Sequence, residues 1–175
     1  MVDPVISLSI RCAFVLLFAA AAIKKIRNPS LFVFQLEQYQ LLPDKWLRIS
    51  AVSIVLIELG VATLMVTPLF FHAVLLGVLL LGVYLGAMLV NLLRDRAWID
   101  CGCLGTEGEG LSYWLAFRNL ILLTVLLVAV IPVTGRPLLW LDYWTIVSVV
   151  IATSTGYLGL NTLLAANLRS KTWWA

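Results

Sequence analysis

Residues 69–93 read LFFHAVLLGVLLLGVYLGAMLVNLL, and this run decides the class of fold. It extends an apolar region that begins at Ile49, and between Ile49 and Leu93 only Glu58 and His72 can carry charge. A helix needs about 20 apolar residues to cross a hydrocarbon layer of about 30 Å, and no water-soluble core requires a run this long. The stretch predicts a membrane protein with several spans.

The composition supports the same class. Hydrophobic residues make up 62% of the 175 positions and charged residues 12%, whereas soluble proteins average about 45–50% and about 25%. The net charge of +3 does not indicate nucleic-acid binding, because the basic residues cluster at helix ends and form no single stripe. A cleavable signal peptide is not expected, since no Lys or Arg precedes Arg11.

The hydropathy pattern predicts an all-α helical bundle that occupies residues 1–175 as one transmembrane domain. Asp3-Pro4 is a helix start signal before the first span. A short amphipathic helix is expected over 31–42, and a polar loop, residues 94–112, separates the third and fourth spans. The five predicted spans are 5–23, 45–66, 69–93, 113–131 and 141–166.

The distribution of basic residues predicts the orientation. With five spans, one side of the membrane holds nine basic residues, and the other side holds only Arg136 and Arg11, which can snorkel to its near interface. This places the N-terminus outside and the loop 94–112 on the cytoplasmic side. Cytoplasmic thiols are normally reduced, so the loop is either reached from across the membrane or exchanges electrons with a cytoplasmic partner.

The loop contains Asp100-Cys101-Gly102-Cys103-Leu104-Gly105. Two thiols one residue apart can join if the chain bends, and Gly102 permits that bend. A strained bridge has a raised reduction potential, which is typical of an exchanging disulfide. Two alternatives stay open: half of a metal site, although a closed zinc site needs about four ligands, and a chance pair in a flexible loop.

Charged residues inside a bilayer are costly and usually paired. Glu58 lies near the middle of the second span, and we expect Arg118, next to Asn119 in the fourth span, to be its partner. The pair either fixes the register of the helices or relays protons or thiol chemistry below the cysteine loop. Gly82 and Gly86 give the third span a small-residue face for close helix contact.

Several of these segments together resemble the MauE family of methylamine-utilisation membrane proteins, which is related to the DoxX-like proteins. The match runs in order from about residue 5 to 130. Leu104 stands where the family usually has Phe. The segments that carry the resemblance are Lys25–Phe32, Tyr39–Pro43, Ile57–Gly60, Asp100–Gly105, Leu111-Ser112 and Arg118–Leu120.

The resemblance implies a protein of the bacterial cytoplasmic (inner) membrane with a DoxX-like four-helix core, a fifth C-terminal transmembrane helix and the short amphipathic helix. It also implies that the protein acts together with MauD, a thioredoxin-like periplasmic protein, in the maturation of the disulfide-rich small subunit of methylamine dehydrogenase. Cys101 and Cys103 would carry the exchange, with Gly102, Glu58, Arg118 and Asn119 supporting them.

Three functions are compatible with these features. The leading hypothesis is a thiol–disulfide oxidoreductase that passes electrons between a thioredoxin-like partner and a donor or acceptor in the membrane. A quinone is one candidate acceptor, although the sequence has no quinone-specific motif and no metal-ligand set. The alternative is a non-enzymatic assembly or anchoring subunit of a membrane oxidoreductase complex. Solute transport is the weakest, because interrupted paired helices are lacking.

Overall fold

The structure is a computed structural model that describes residues 2–96 and 111–171, and within α6 the side chains of residues 160, 161 and 163–171 are not described. The described residues form six α-helices and no β-strand. Val2 and Val133 make one isolated parallel bridge. The helices are α1 Pro4–Arg27, α2 Pro29–Tyr39, α3 Asp44–Leu64, α4 Phe70–Leu93, α5 Tyr113–Val128 and α6 Trp140–Lys171.

Local sequence signals set several helix ends. Asp3 Oδ1 accepts a hydrogen bond from the amide of Val5 at 2.9 Å, and Pro4 occupies the first helical position, where its missing N–H costs nothing. Ser112 caps α5, because its hydroxyl accepts a hydrogen bond from the amide of Leu115 at 3.4 Å. α2 begins at Pro29 and ends at Tyr39, each a few residues before the predicted bounds of 31–42. It ends there because Gln40 takes a left-handed conformation (φ 48°) that terminates the helix.

Each predicted span falls on a helix. Three helices in the described part of the chain, α1, α3 and α4, are long and apolar enough to cross a membrane, and α5 is a shorter apolar helix of 16 residues. The chain is therefore a membrane protein. Membrane crossing by α5 and α6 stays a prediction.

The helices pack in a ring of four. α1 contacts α3, α3 contacts α4, α4 contacts α5, and α5 returns to α1. α2 lies against α1 and α3, and α6 packs on α1. The DoxX-like designation of this arrangement stays a prediction.

A glycine on α4 allows close packing inside the ring, but it is not one of the two predicted. A Cβ on Gly77 would lie 3.0 Å from Leu126 Cδ2 of α5 and 3.5 Å from the ring of Phe18 on α1. Gly82 and Gly86 are exposed, and a Cβ on either would meet nothing within 4 Å. The prediction that Gly82 and Gly86 mediate close contact is therefore wrong for the helices of this bundle.

Arg11 holds the end of α3. Its Nη2 and Nε donate to the carbonyl of Met65 at 2.8 and 3.1 Å, and Nη2 also reaches the carbonyl of Thr67 at 3.4 Å. The guanidinium lies 4.3 Å from the centroid of Phe70. Carbonyls at a helix C-terminus lack intrahelical donors. Arg11 of α1 therefore supplies hydrogen-bond donors to the carbonyl groups of the turn between α3 and α4.

A second set of contacts ties the N-terminus to the connection between α5 and α6. Arg136 donates to Asp3 at 2.9 and 3.1 Å and to Asp142 at 2.9 and 3.2 Å. The side-chain hydrogen bonds from Arg136, with the backbone bond from Val5, lower the pKa of Asp3 below its ordinary value. The two carboxylates raise the pKa of Arg136 above its ordinary value.

Candidate functional site

A buried ion pair joins α1 to α3. Lys25 Nζ donates to Glu58 Oε1, and the two residues are 4% and 0% exposed. Lys25 also lies 5.1 Å from the centroid of the Phe32 ring on α2. Taking two charges out of water is costly unless they are paired and hydrogen-bonded, so this contact fixes three elements around one point.

Tyr84 of α4 completes the cluster. Its hydroxyl donates to Glu58 Oε1 at 2.7 Å, and Lys25 Nζ lies 3.2 Å from the same hydroxyl. Glu58 Oε2 is buried and has no hydrogen-bond partner among the described residues. One carboxylate oxygen thus accepts from both the ammonium and the phenol.

The prediction that Arg118 is the partner of Glu58 is wrong. Among the described residues, the ion pair of Glu58 is formed with Lys25 and not with Arg118. Arg118 is buried on α5, where its guanidinium carbon lies 5.5 Å from the centroid of the Tyr157 ring on α6. The α1 residue therefore neutralises the carboxylate, and Arg118 contacts a different helix.

Two further polar residues, Asn119 and Asn91, are buried in the bundle. Asn119 Nδ2 contacts Met88 Sδ at 3.4 Å, joining α5 to α4. Asn91 is 0% exposed and donates to the carbonyl of Ala87 at 3.1 Å. Tyr84, Met88 and Asn91 are spaced by four and three residues, which places them on one face of α4. This face runs for about 10 Å from the Glu58 cluster towards the cysteine loop.

The residues that flank the cysteine loop are attached to α2. On one side, Arg96 Nη1 donates to Gln40 Oε1 at 2.5 Å. On the other side, Leu111 is buried in an apolar cluster with Tyr39 of α2 and Leu92 of α4. Both flanks thus lie at the C-terminal end of α2, beside the buried face that carries Asn91.

The predicted thiol pair lies outside the described residues. Cys101, Gly102 and Cys103 fall in the segment 97–110, so their geometry does not enter the structural description. Cys12 is the free cysteine of the described part, half-buried in α1. In that same part, no group of three or more His, Cys, Asp or Glu side chains could hold a metal ion.

Sequence reasoning missed Lys25 and Tyr84. Lys25 was counted among the basic residues that follow the first span, and Tyr84 was treated as part of an apolar run. A signal for Lys25 was present, because the buried residues Phe14, Phe18 and Ala22 recur at helical spacing and Lys25 continues their stripe. A lysine on a buried stripe requires a partner in the interior.

The fold and the site define a helical membrane protein with a buried lysine–glutamate–tyrosine cluster, whose sequence carries two cysteines in the loop that follows α4. The family described as "Methylamine utilisation protein MauE" matches residues 3–132, which span α1 to α5. The chain belongs to the MauE family.

Individual relatives agree with this assignment. The chain is 36% identical to the methylamine utilization protein MauE of Paracoccus denitrificans over 139 residues, covering 78% of this chain and 73% of the relative. It is 36% identical to the Paracoccus versutus protein, covering 77% and 74%, and 33% identical to the Methylorubrum extorquens protein, covering 67% and 64%. No solved structure matches the chain.

Proposed function

We propose that this protein is a thiol–disulfide component of the bacterial inner membrane that serves methylamine utilisation. The observation that carries the proposal is the Cys101-Gly102-Cys103 sequence within the polar, glycine-rich loop of a MauE-family chain. The proposed client is a disulfide-rich periplasmic protein, such as the small subunit of methylamine dehydrogenase, and the proposed partner is thioredoxin-like, as MauD is.

The proposed step is thiol–disulfide exchange. The thiolate of one cysteine attacks a partner disulfide, which forms a mixed disulfide and releases one partner thiolate. The second cysteine then attacks its neighbour's sulfur, so that Cys101 and Cys103 become joined and the partner leaves as a dithiol. Two electrons pass from the cysteine pair to the partner. Formation of client disulfides requires the reverse sequence. A partner thiolate attacks the Cys101–Cys103 disulfide, and a second partner thiol resolves the mixed disulfide, so that the partner leaves as a disulfide and the cysteine pair is left reduced. A membrane oxidant such as a quinone would then accept the two electrons and restore the bridge, whereas the forward sequence needs a membrane electron donor to restore the dithiol.

The described helices suit such a loop. Arg96 and Leu111 attach its two flanks to α2, which would limit where the thiols can meet a partner. Thiolate formation releases a proton, and we propose that Glu58, Arg118 and Asn119 support the reaction from the interior of the helix bundle. Glu58 Oε2, buried without a hydrogen-bond partner in the described part, is the atom available to receive a proton.

Cysteine variants test the proposal in a strain that depends on the protein for client maturation. Cys101→Ser and Cys103→Ser should each abolish formation of the client's disulfides, scored by thiol alkylation and gel shift. One of the two should trap a partner in a mixed disulfide that dithiothreitol releases. Cys12→Ser is the matched control, because it removes a half-buried thiol of α1 that lies outside the cysteine loop. Full maturation in the double variant would eliminate the proposal.

Glu58→Gln tests the supporting role. The change preserves the shape of the side chain and removes its charge and its basic oxygen. Gln keeps an oxygen that can accept hydrogen bonds from Lys25 and Tyr84, so Glu58→Gln should cost less stability than Glu58→Leu. We therefore expect it to lower the rate of client oxidation more than it lowers the thermal stability of the protein. Equal losses in both measurements would reduce the Lys25–Glu58 pair to a structural contact.

The orientation is tested separately. We propose an N-terminus outside, which places the loop on the cytoplasmic side, where most of the basic residues lie. Exchange with a periplasmic partner then requires that the loop be reached from across the membrane, and labelling from the cytoplasm alone would leave only a cytoplasmic partner. An impermeant maleimide applied to whole cells, before and after reduction, reports whether Cys101 and Cys103 are reached from the periplasm. The same reagent applied to inverted vesicles is the control for cytoplasmic access.

A second candidate function is an assembly or anchoring subunit. The observation that favours it is the exposed pair Gly82 and Gly86 on α4, whose surroundings are open, a surface that a helix of another protein could approach closely. A stoichiometric partner that co-purifies with the cysteine-free variant and is lost in Gly82→Val would support this function.

A further inference from the structure

A cleft beside the Lys25–Glu58 pair has no role in the proposed exchange. It lies between α1, α2 and α3 and has a volume of about 660 Å³. Apolar side chains of α2 and α3 form most of its lining, among them Phe32, Val33, Val52, Val55 and Leu56. Val52 and Leu56 are also exposed on the outside of the bundle. The cleft is therefore continuous with the surface that meets the acyl chains of the bilayer.

The polar end of the cleft is positively charged. Arg48 lines it, is exposed, and makes no ion pair with any other residue in the described parts of the chain. Lys25 also contributes to the wall, but Glu58 neutralises its charge. Arg48 therefore supplies the net charge of the cleft.

The start of α2 adds to this positive potential. Pro29 and Ser30, the first residues of the helix, line the cleft. Asn28 stands at the cap position, but its side chain makes no capping hydrogen bond. The N-terminal end of a helix carries partial positive charge and favours anions. The dipole of α2 and the guanidinium of Arg48 act on the same space.

We propose that this cleft binds a phospholipid with an acidic head group. The phosphate contacts Arg48 and the N-terminus of α2, and an acyl chain lies along Val52, Val55 and Leu56. Charge complementarity favours this occupant over a zwitterionic lipid, which brings its own cation to the same place. The apolar lining favours a lipid over free phosphate, which would leave those walls in contact with water. The proposal does not depend on the chemistry of the cysteine loop.

Photo-crosslinking of the full chain in lipid nanodiscs tests the site. The probe is phosphatidylglycerol with a diazirine in its acyl chain, and labelled peptides are located by mass spectrometry. Labelling should concentrate on peptides that contain Val33 and Val52–Leu56. Near a membrane surface a basic side chain contributes about 1 kcal/mol to anionic lipid binding, so Arg48→Gln should lower the labelling about fivefold.

Lys45→Gln is the matched control. Lys45 is an exposed basic residue on the same helix that does not line the cleft, so labelling should stay at the wild-type level. Val52→Trp, which fills the cleft from an exposed position, should also lower labelling and provides a second variant if Arg48→Gln does not fold.

Three results would overturn the proposal. The first is equal labelling by phosphatidylcholine that carries the same acyl diazirine. The second is wild-type labelling in both Arg48→Gln and Val52→Trp. The third is competition by millimolar inorganic phosphate, which would indicate a site for a free anion. Competition by unlabelled phosphatidylglycerol alone is the expected outcome.

Discussion

Lys25 of α1 and Glu58 of α3 form an ion pair in the interior of the bundle, and the phenol of Tyr84 on α4 donates to the same carboxylate oxygen at 2.7 Å. Three helices of the four-helix ring thus meet at one carboxylate. A buried pair of this kind is strongly destabilising to break but adds little net stability over an apolar replacement of both partners. The pair therefore contributes either to the specificity of helix packing or to the reaction that the protein supports.

A double-mutant cycle tests the energetic coupling of this pair. Lys25→Met or Glu58→Leu alone should lower the free energy of unfolding by about 3–5 kcal/mol, because each leaves a buried charge without a partner. The double variant should be more stable than either single variant. Thermal or denaturant unfolding in detergent micelles provides the measurement, and additive losses would show that the two side chains do not interact.

Arg11 should be important for the turn between α3 and α4. Arg11→Met removes the donors to the carbonyls of Met65 and Thr67 and should cost about 1.5–3 kcal/mol, the range for hydrogen bonds to a charged group. Arg11→Lys should lose less, because an ammonium can still reach one carbonyl but lacks the forked geometry of a guanidinium. Unfolding curves of the two variants check this order, and equal stability of Arg11→Met and wild type would contradict it.

The two types of glycine on α4 should respond differently to substitution. Gly77→Val places atoms against Leu126 and Phe18 and should destabilise the bundle by about 1–3 kcal/mol through overpacking. Gly82→Val projects into open space and should change the stability of the isolated protein by no more than about 0.5 kcal/mol. Equal loss of thermal stability in the two variants would show that α4 packs in another rotation.

Acid should weaken the contact between the N-terminus and the α5–α6 connection. Arg136 lowers the pKa of Asp3 from its ordinary value of 3.8, so this carboxylate contributes its full stabilisation above that pH. The contribution is lost as the pH falls through the lowered value. Between pH 5 and pH 3, the unfolding temperature of wild type should fall more than that of Asp3→Asn.

Asp142 binds the same guanidinium, so Asp3→Asn should retain part of the acid sensitivity and Asp3→Asn/Asp142→Asn should retain less. Identical acid profiles for wild type and the double variant would show that the contact contributes nothing. High salt should weaken the effect, since the charges are partly exposed.

The helices themselves could be predicted because their signals are local. Hydropathy over about 20 residues places α1, α3 and α4, and Asp3-Pro4 and Ser112 mark helix starts through hydrogen bonds within one turn. The family could also be recognised, since its motifs are short and occur in order. The membership is confirmed by the match over residues 3–132.

The partner of Glu58 could not be predicted in this way. Hydropathy and spacing show that a carboxylate lies inside the membrane and requires a cation, but several cations can supply one. The choice of Lys25 over Arg118 depends on the rotation and depth of each helix in the ring, which arise from packing between distant segments. The same reason separates Gly77 from Gly82 and Gly86, which share one helix but face different surroundings.

By itself, the sequence determined that the chain is a helical membrane protein, approximately where its helices begin and end, and that two cysteines one residue apart occur in its polar loop. Only the tertiary structure decided which helices meet, that Lys25 turns inward to Glu58 and Tyr84, and that Arg11 reaches across to the end of α3. The physical reason is the separation along the sequence between the residues that interact. Helix formation and membrane affinity follow from neighbours within a few turns, whereas pairing of buried charges depends on contacts between residues up to about 60 positions apart, as Lys25 and Tyr84 are.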